Sequence, residues 1–196
     1  VIYTHSFFRP FPKAELHEHL DGSLRPQFLL ETARKQGIKL PFDNETGCLA
    51  WVEHHRGGNL VDYLRLFDTT VSVLQTPEAL RQAAIQTMED WKSSGILYGE
   101  VRFAPELHTK GGMTQIDAVN AVVEGLREGE RLTGTPWAII LCMLRHSPAG
   151  KGLPAIGAKL KARGIPVALD LAGPELGHPA GDYAESFLEA RENGIP

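Results

Sequence analysis

The sequence is short of most features that would announce a specialised environment. Two cysteines, Cys48 and Cys142, among 196 residues cannot build a disulfide framework, so a reducing, cytoplasmic compartment is expected. No apolar run is longer than the eight residues Trp137 to Leu144, well below the roughly 18 that indicate a membrane span. Val1 to Lys13 holds no basic segment followed by a long apolar one, so no secretory signal is expected. Positive charge is scarce too. Twenty Lys and Arg against 24 Asp and Glu leave a net charge of −4, which disfavours nucleic acid and anionic membranes as partners. Glycine (20) and proline (13) together stay short of the roughly 25–30% of a low-complexity chain. What is there, 42% hydrophobic and 22% charged residues, is a globular composition long enough to bury a core.

Four short apolar segments read as strands: Ala14 to Leu20, Ile96 to Ala104, Trp137 to Arg145 and Pro166 to Gly173. Helical patterns separate them. Thr76-Pro77-Glu78 is a helix start, Thr114 and Asp117 open another helix that ends near Gly134, and Gly152 to Arg163 and Asp182 to Glu192 follow. The first connection is the longest, with a helix at Pro26 to Gln36, a glycine-containing loop and a helix capped by Asn59. That helix carries the stripe Leu60, Tyr63, Leu64, Phe67 and Val71. Strands alternating with helices, without hairpin signals, predict a parallel α/β sheet.

Chemistry starts on the first strand. In Leu16-His17-Glu18-His19-Leu20-Asp21 the period-two alternation sends His17 and His19 to one face, close enough to share a metal ion. Asp21 continues that face just past the strand end, and Glu18 faces away, toward solvent. Spacing excludes the helical His-Glu-x-x-His motif, and the absence of Pro-Cys-x-x-Cys excludes cysteine-ligated nucleobase deaminases. From spacing alone the pair is either a metal site or two structural histidines. Glu100 and Arg102 share a strand face and predict an ion pair. His108 and His146, just after strands two and three, are candidates to face a pocket, with solvated loop positions as the alternative.

Pro12-Lys13-Ala14-Glu15-Leu16-His17-Glu18-His19-Leu20-Asp21-Gly22-Ser23 resembles the opening of the adenosine deaminases, metal-dependent hydrolases built on a (β/α)8 barrel. The resemblance continues in order through Glu100-Val101-Arg102-Phe103-Ala104-Pro105, Met143-Leu144-Arg145-His146 and Asp170-Leu171-Ala172-Gly173 with Glu175. It implies that His17 and His19 ligate one Zn2+, with His19 also against the substrate. It implies that Asp21 accepts the ribose 5′-hydroxyl and that Gly173 offers its N–H to purine N3. Leu60, Leu64 and Phe67, with Tyr63, resemble the apolar lid over the nucleoside, within a helical insertion around residues 41–75. Relatives acting on free adenine tend to carry Glu at the position of Asp21, so adenosine or 2′-deoxyadenosine is the implied substrate, with inosine and ammonia as products.

A barrel of this kind needs eight strands, and four are read here, so residues 1–196 correspond to its N-terminal half. In the family the third histidine ligand and the acid/base glutamate lie in a His-Ala-Gly-Glu stretch on strand five. No catalytic acid/base is therefore expected before residue 196, and the chain alone is expected to be inactive. Uncovered apolar faces would favour self-association or a complementary C-terminal half. The alternative is a non-catalytic nucleoside-binding or interaction module derived from the fold.

Overall fold

The computed structural model describes residues 11–55, 57 and 60–196, with 60–65 as backbone alone. Strand β1 (Lys13–His19) runs into a 3-10 turn at Leu20–Gly22. Four helices follow: α1 (Pro26–Gln36), α2 (Glu45–His55), α3 (Leu60–Val73) and α4 (Pro77–Ser93). After β2 (Ile96–Phe103), strands and helices alternate singly through α5 (Gln115–Thr133), β3 (Trp137–Leu144), α6 (Leu153–Ala162), β4 (Val167–Ala172) and α7 (Ala184–Glu192). All three strand pairings are parallel, and the sheet order β1-β2-β3-β4 repeats the chain order. These are four successive βα units of a barrel wall, as expected.

The helices start where the chemistry of their first turns dictates. The Thr76 hydroxyl accepts the Ala79 N–H at 3.2 Å ahead of Pro77, and Thr114 and Asp117 form a reciprocal capping box. Arg25, just before α1, forks onto Asp90 of α4 at 2.7 and 3.1 Å, which ties the first helix to the fourth. Beyond β4, the Leu169 N–H donates to the Pro196 carbonyl at 2.9 Å, so the last residue lies alongside that strand.

Strand register sorts the side chains into two layers. Val101, Phe103, Ile139, Leu141, Met143, Val167 and Leu169 point to the helices and form the core with Trp91, Met88 and Leu126. The opposite, inner face carries Ala14, Ala138 and Ala168 beside His17, His19, Glu100, Arg102 and Asp170. Ile140 and Cys142 share this face, so it mixes small, polar and a few apolar residues. Large exposed apolar side chains include Leu16 of β1 and Leu97 of β2 on the sheet itself, Phe187 and Leu188 on α7, and Leu176 in the loop after β4.

Three local expectations need correction. The glycine-containing loop between the first two expected helices contains α2. There the Asn44 side chain accepts the Gly47 N–H at 2.8 Å and starts a helix that buries Cys48 while leaving Leu49 and Val52 exposed. The final helix begins at Ala184 rather than Asp182. A 3-10 turn at Ala180–Tyr183 precedes it, because the Tyr183 hydroxyl donates to the Leu144 and Ser147 carbonyls and pulls its ring into the core. Arg102 pairs with Asp170 of β4 instead of Glu100, whose carboxylate accepts the Tyr98 hydroxyl at 2.9 Å. The cap expected of Asn59 lies outside the described residues.

Candidate functional site

The site begins with an irregularity in β1. Glu15 and Glu18 stand opposite Gly99 and Val101, so three steps along β1 match two along β2, a one-residue bulge. Beyond it, Glu18 takes the helix side and His19, paired with Arg102, the inner side. The His17 and His19 rings lie together with centroids 5.3 Å apart and planes tilted by 47°. An Arg102 Nη lies 3.1 Å from His17 Nδ1, and the same guanidinium is ion-paired with Asp170. Burial first, then Arg102 and His17, hold the His19 pKa down at about 4, so the ring is neutral at pH 7 with a lone pair to offer.

Asp21 sits in the turn that ends β1, 3% exposed, and its Oδ1 has no hydrogen-bond partner. Burial pushes its carboxyl up to about 6 against the pull of the Asp21 and Gly22 N–H groups. A buried carboxylate oxygen left without a donor is costly, and a hydroxyl-bearing ligand would relieve it.

Asp21 opens into a cavity of about 680 Å³ whose wall includes His19, Phe67 of α3 and Gly173 at the end of β4. Three separated chain segments thus meet at one place. Gly173 has φ of 95°, a backbone turn that favours glycine, and the same absence of a side chain leaves its backbone open to the cavity. Val71 of the expected stripe also lines it, and the Phe67 ring meets the His19 ring edge-on at 5.9 Å. The side chains of Leu60, Tyr63 and Leu64 lie outside the described residues. His17 is beside His19 but is not part of the cavity wall.

The cavity floor is a small apolar cluster of Ala104, Cys142 and Leu144, with Leu107 and Ala172 against it, separate from the main core. These residues carry no chemical signal in the sequence. Their position at strand C-terminal ends, where parallel α/β folds gather ligands, is the one clue available. The histidines after strands two and three divide. His146 lines the cavity, whereas His108 is fully buried, with Nδ1 3.0 Å from the Leu74 carbonyl. Glu18 does not reach into solvent but accepts the Trp91 indole N–H at 2.5 Å.

Two imidazoles side by side on one inner face suit a zinc ion as the first half of a ligand set. Among the described residues no group of three His, Cys, Asp or Glu side chains is arranged to hold a metal. No described helix is long and apolar enough to cross a membrane.

Comparison with known proteins follows the same lines. The adenosine deaminase family model matches residues 12–196. An adenosine deaminase of Mycobacteroides abscessus is 38% identical over 183 residues, which cover 90% of this chain and 50% of that protein. Among solved structures, an adenine deaminase from Arthrobacter aurescens superposes with a TM-score of 0.78 at 26% identity, over 93% of this chain and 55% of its own. The N6-methyl-AMP deaminase from Arabidopsis thaliana gives 0.74 at 26% identity, over 98% and 58%. The chain spans about half the length of the relatives it matches.

Proposed function

We infer that this chain, which belongs to the adenosine deaminase family of metal-dependent hydrolases, forms the N-terminal half of a barrel that deaminates adenosine or 2′-deoxyadenosine to inosine and ammonia. The observation that carries this reading is the convergence of His19, Asp21, Phe67 and Gly173 on one cavity. In it His17 and His19 hold a single Zn2+, while the acid/base glutamate and the other ligands come from the complementary half. When bound, the ion activates water for attack near neutral pH.

The remaining roles belong to this chain. Asp21 Oδ1, buried and without a donor, accepts the ribose 5′-hydroxyl. That contact favours a nucleoside over free adenine, and over a 5′-nucleotide, whose phosphate would set a second anion against a buried carboxylate. The Gly173 N–H faces purine N3, and the Ala104, Cys142 and Leu144 floor takes the apolar surface of the base. Residues 41–75 act as the lid, with Phe67, Leu60 and Leu64 over the nucleoside. The complementary half adds its strands beside β1 and β4. The two free cysteines, both buried, fit a cytoplasmic setting.

The test is the ultraviolet change from adenosine to inosine, with zinc, for the chain alone and for the chain mixed with the C-terminal half of a close relative. Turnover is expected only in the mixture. There Asp21→Ala lowers kcat/KM for adenosine by about 10–100-fold, the worth of a hydrogen bond to a charged group, and spares 5′-deoxyadenosine. Equal losses on both substrates refute the ribose contact. Zinc-dependent turnover by the chain alone refutes the half-barrel reading.

A second reading rests on the cavity wall being supplied by this chain itself, so a non-catalytic nucleoside-binding module is also served by it. Calorimetry separates the two: adenosine binding by the chain alone, with no turnover in the mixture, favours the module.

A further inference from the structure

Strand β1 pairs with β2 alone among the described residues, and its bulge, between Glu15 and Glu18, takes in His17. A one-residue slip there would turn His17 and His19 toward the helices. Two acidic side chains bracket the irregularity. Glu15 Oε1 accepts the His17 backbone N–H at 3.0 Å, taking up a donor at the bulge. Glu18, between the histidines, points the opposite way, and its Oε2 accepts the indole N–H of Trp91 in α4 at 2.5 Å. Trp91 is a firm anchor, 1% exposed, with its ring filling the space over Gly99 of β2, where any Cβ would collide with it. The tie crosses 73 positions of sequence and joins the centre of the histidine motif to the helix layer.

We propose that Glu18 is a positioning residue for the histidine pair: its hydrogen bond to Trp91 fixes which face β1 presents, and so brings the His17 and His19 rings together. Its consequence for metal affinity rests on the zinc reading above, whereas the strand register is a property of the metal-free chain. Glu18→Gln keeps an acceptor for the indole, Glu18→Leu fills similar space without one, and Trp91→Phe keeps a ring while removing the donor.

The experiment has two arms on the same variants. In the first, zinc affinity is measured by competition with a chromogenic chelator. Glu18→Leu and Trp91→Phe each weaken it about tenfold, as loss of a group supporting metal ligands does; the double variant is no worse, and Glu18→Gln stays within about twofold of the unaltered chain. In the second, amide hydrogen exchange of the metal-free chain speeds up about tenfold or more at His17 to His19 in Glu18→Leu, with β3 unchanged. Unaltered affinity and exchange in folded Glu18→Leu overturn the proposal. So does Glu18→Gln as impaired as Glu18→Leu, or exchange that rises equally in β3. Where Glu18→Leu does not fold, Trp91→Phe decides by the same readouts. If His17→Ala and His19→Ala leave zinc binding untouched, the zinc reading fails, and the exchange arm alone judges the positioning role.

Discussion

The two faces of the sheet draw on the same four strands yet are built to opposite rules. Toward the helices β2, β3 and β4 place large apolar side chains, Val101, Phe103, Ile139, Leu141, Met143, Val167 and Leu169, none more than 8% exposed. Toward the barrel interior the four strands place alanines, two histidines and a charged trio of Glu100, Arg102 and Asp170. Barrel interiors are ordinarily filled by branched apolar residues. Here packing is concentrated on one face, and the other keeps room, polarity and two imidazoles. Neighbouring residues therefore answer to different demands, core packing on one side and the candidate site on the other.

Adjacent residues of β3 give the sharpest test. Leu141 faces the helices and Cys142 the cavity. Leu141→Ala is expected to cost about 3–4 kcal/mol in urea unfolding, and Cys142→Ala about 1 kcal/mol or less, since only a sulfur atom is removed. Equal losses would break the distinction between the faces.

A pH series probes the boundary between them at His108, which is buried behind the loop after β2. Burial holds its pKa at about 4, although the Leu74 carbonyl pulls it upward. The unfolded chain takes up that proton near 6.5 and the folded chain only near 4, so stability falls as pH drops through this window. The loss reaches about 3 kcal/mol, and it returns as pH rises. His108→Asn, which keeps a donor for the carbonyl, should flatten the urea midpoint between pH 6.5 and 4. An unchanged slope would show that His108 does not exclude the proton.

Thr114→Ala sets the smallest effect. Loss of the cap on α5 should lower stability by about 1 kcal/mol while leaving adenosine affinity unchanged, because the helix lies outside the cavity. A parallel fall in affinity would mean that helix packing tunes the inner face.

The contrast also explains what the sequence made legible. Strand positions followed from apolar runs bounded by turn residues, and the observed ends fall within one residue of those read. Helix α2 was hidden because Gly47 interrupts it and its apolar residues do not share one side: Cys48 is buried while Leu49 and Val52 face out. His17, His19, Asp21 and Gly173 stood out through motif and resemblance. The cavity floor did not, since Ala104, Leu107 and Leu144 are unremarkable until two strand ends bring them together. Glu18 and Trp91 share no pattern that spacing could reveal, and only the fold makes them partners.

Because sheet order equals chain order, each new strand joins an edge that is already in place, and assembly can keep pace with synthesis. The first step is the slow one: roughly 75 residues separate β1 from β2, which at ~5–20 residues per second leaves β1 without its neighbour for roughly 4–15 s on the ribosome. During that interval an apolar strand would be a template for aggregation. Lys13, Glu15, His17, Glu18 and His19, five polar side chains in seven residues, make β1 a poor one. The segment that carries the candidate chemistry is also suited to waiting in water until its partner is made.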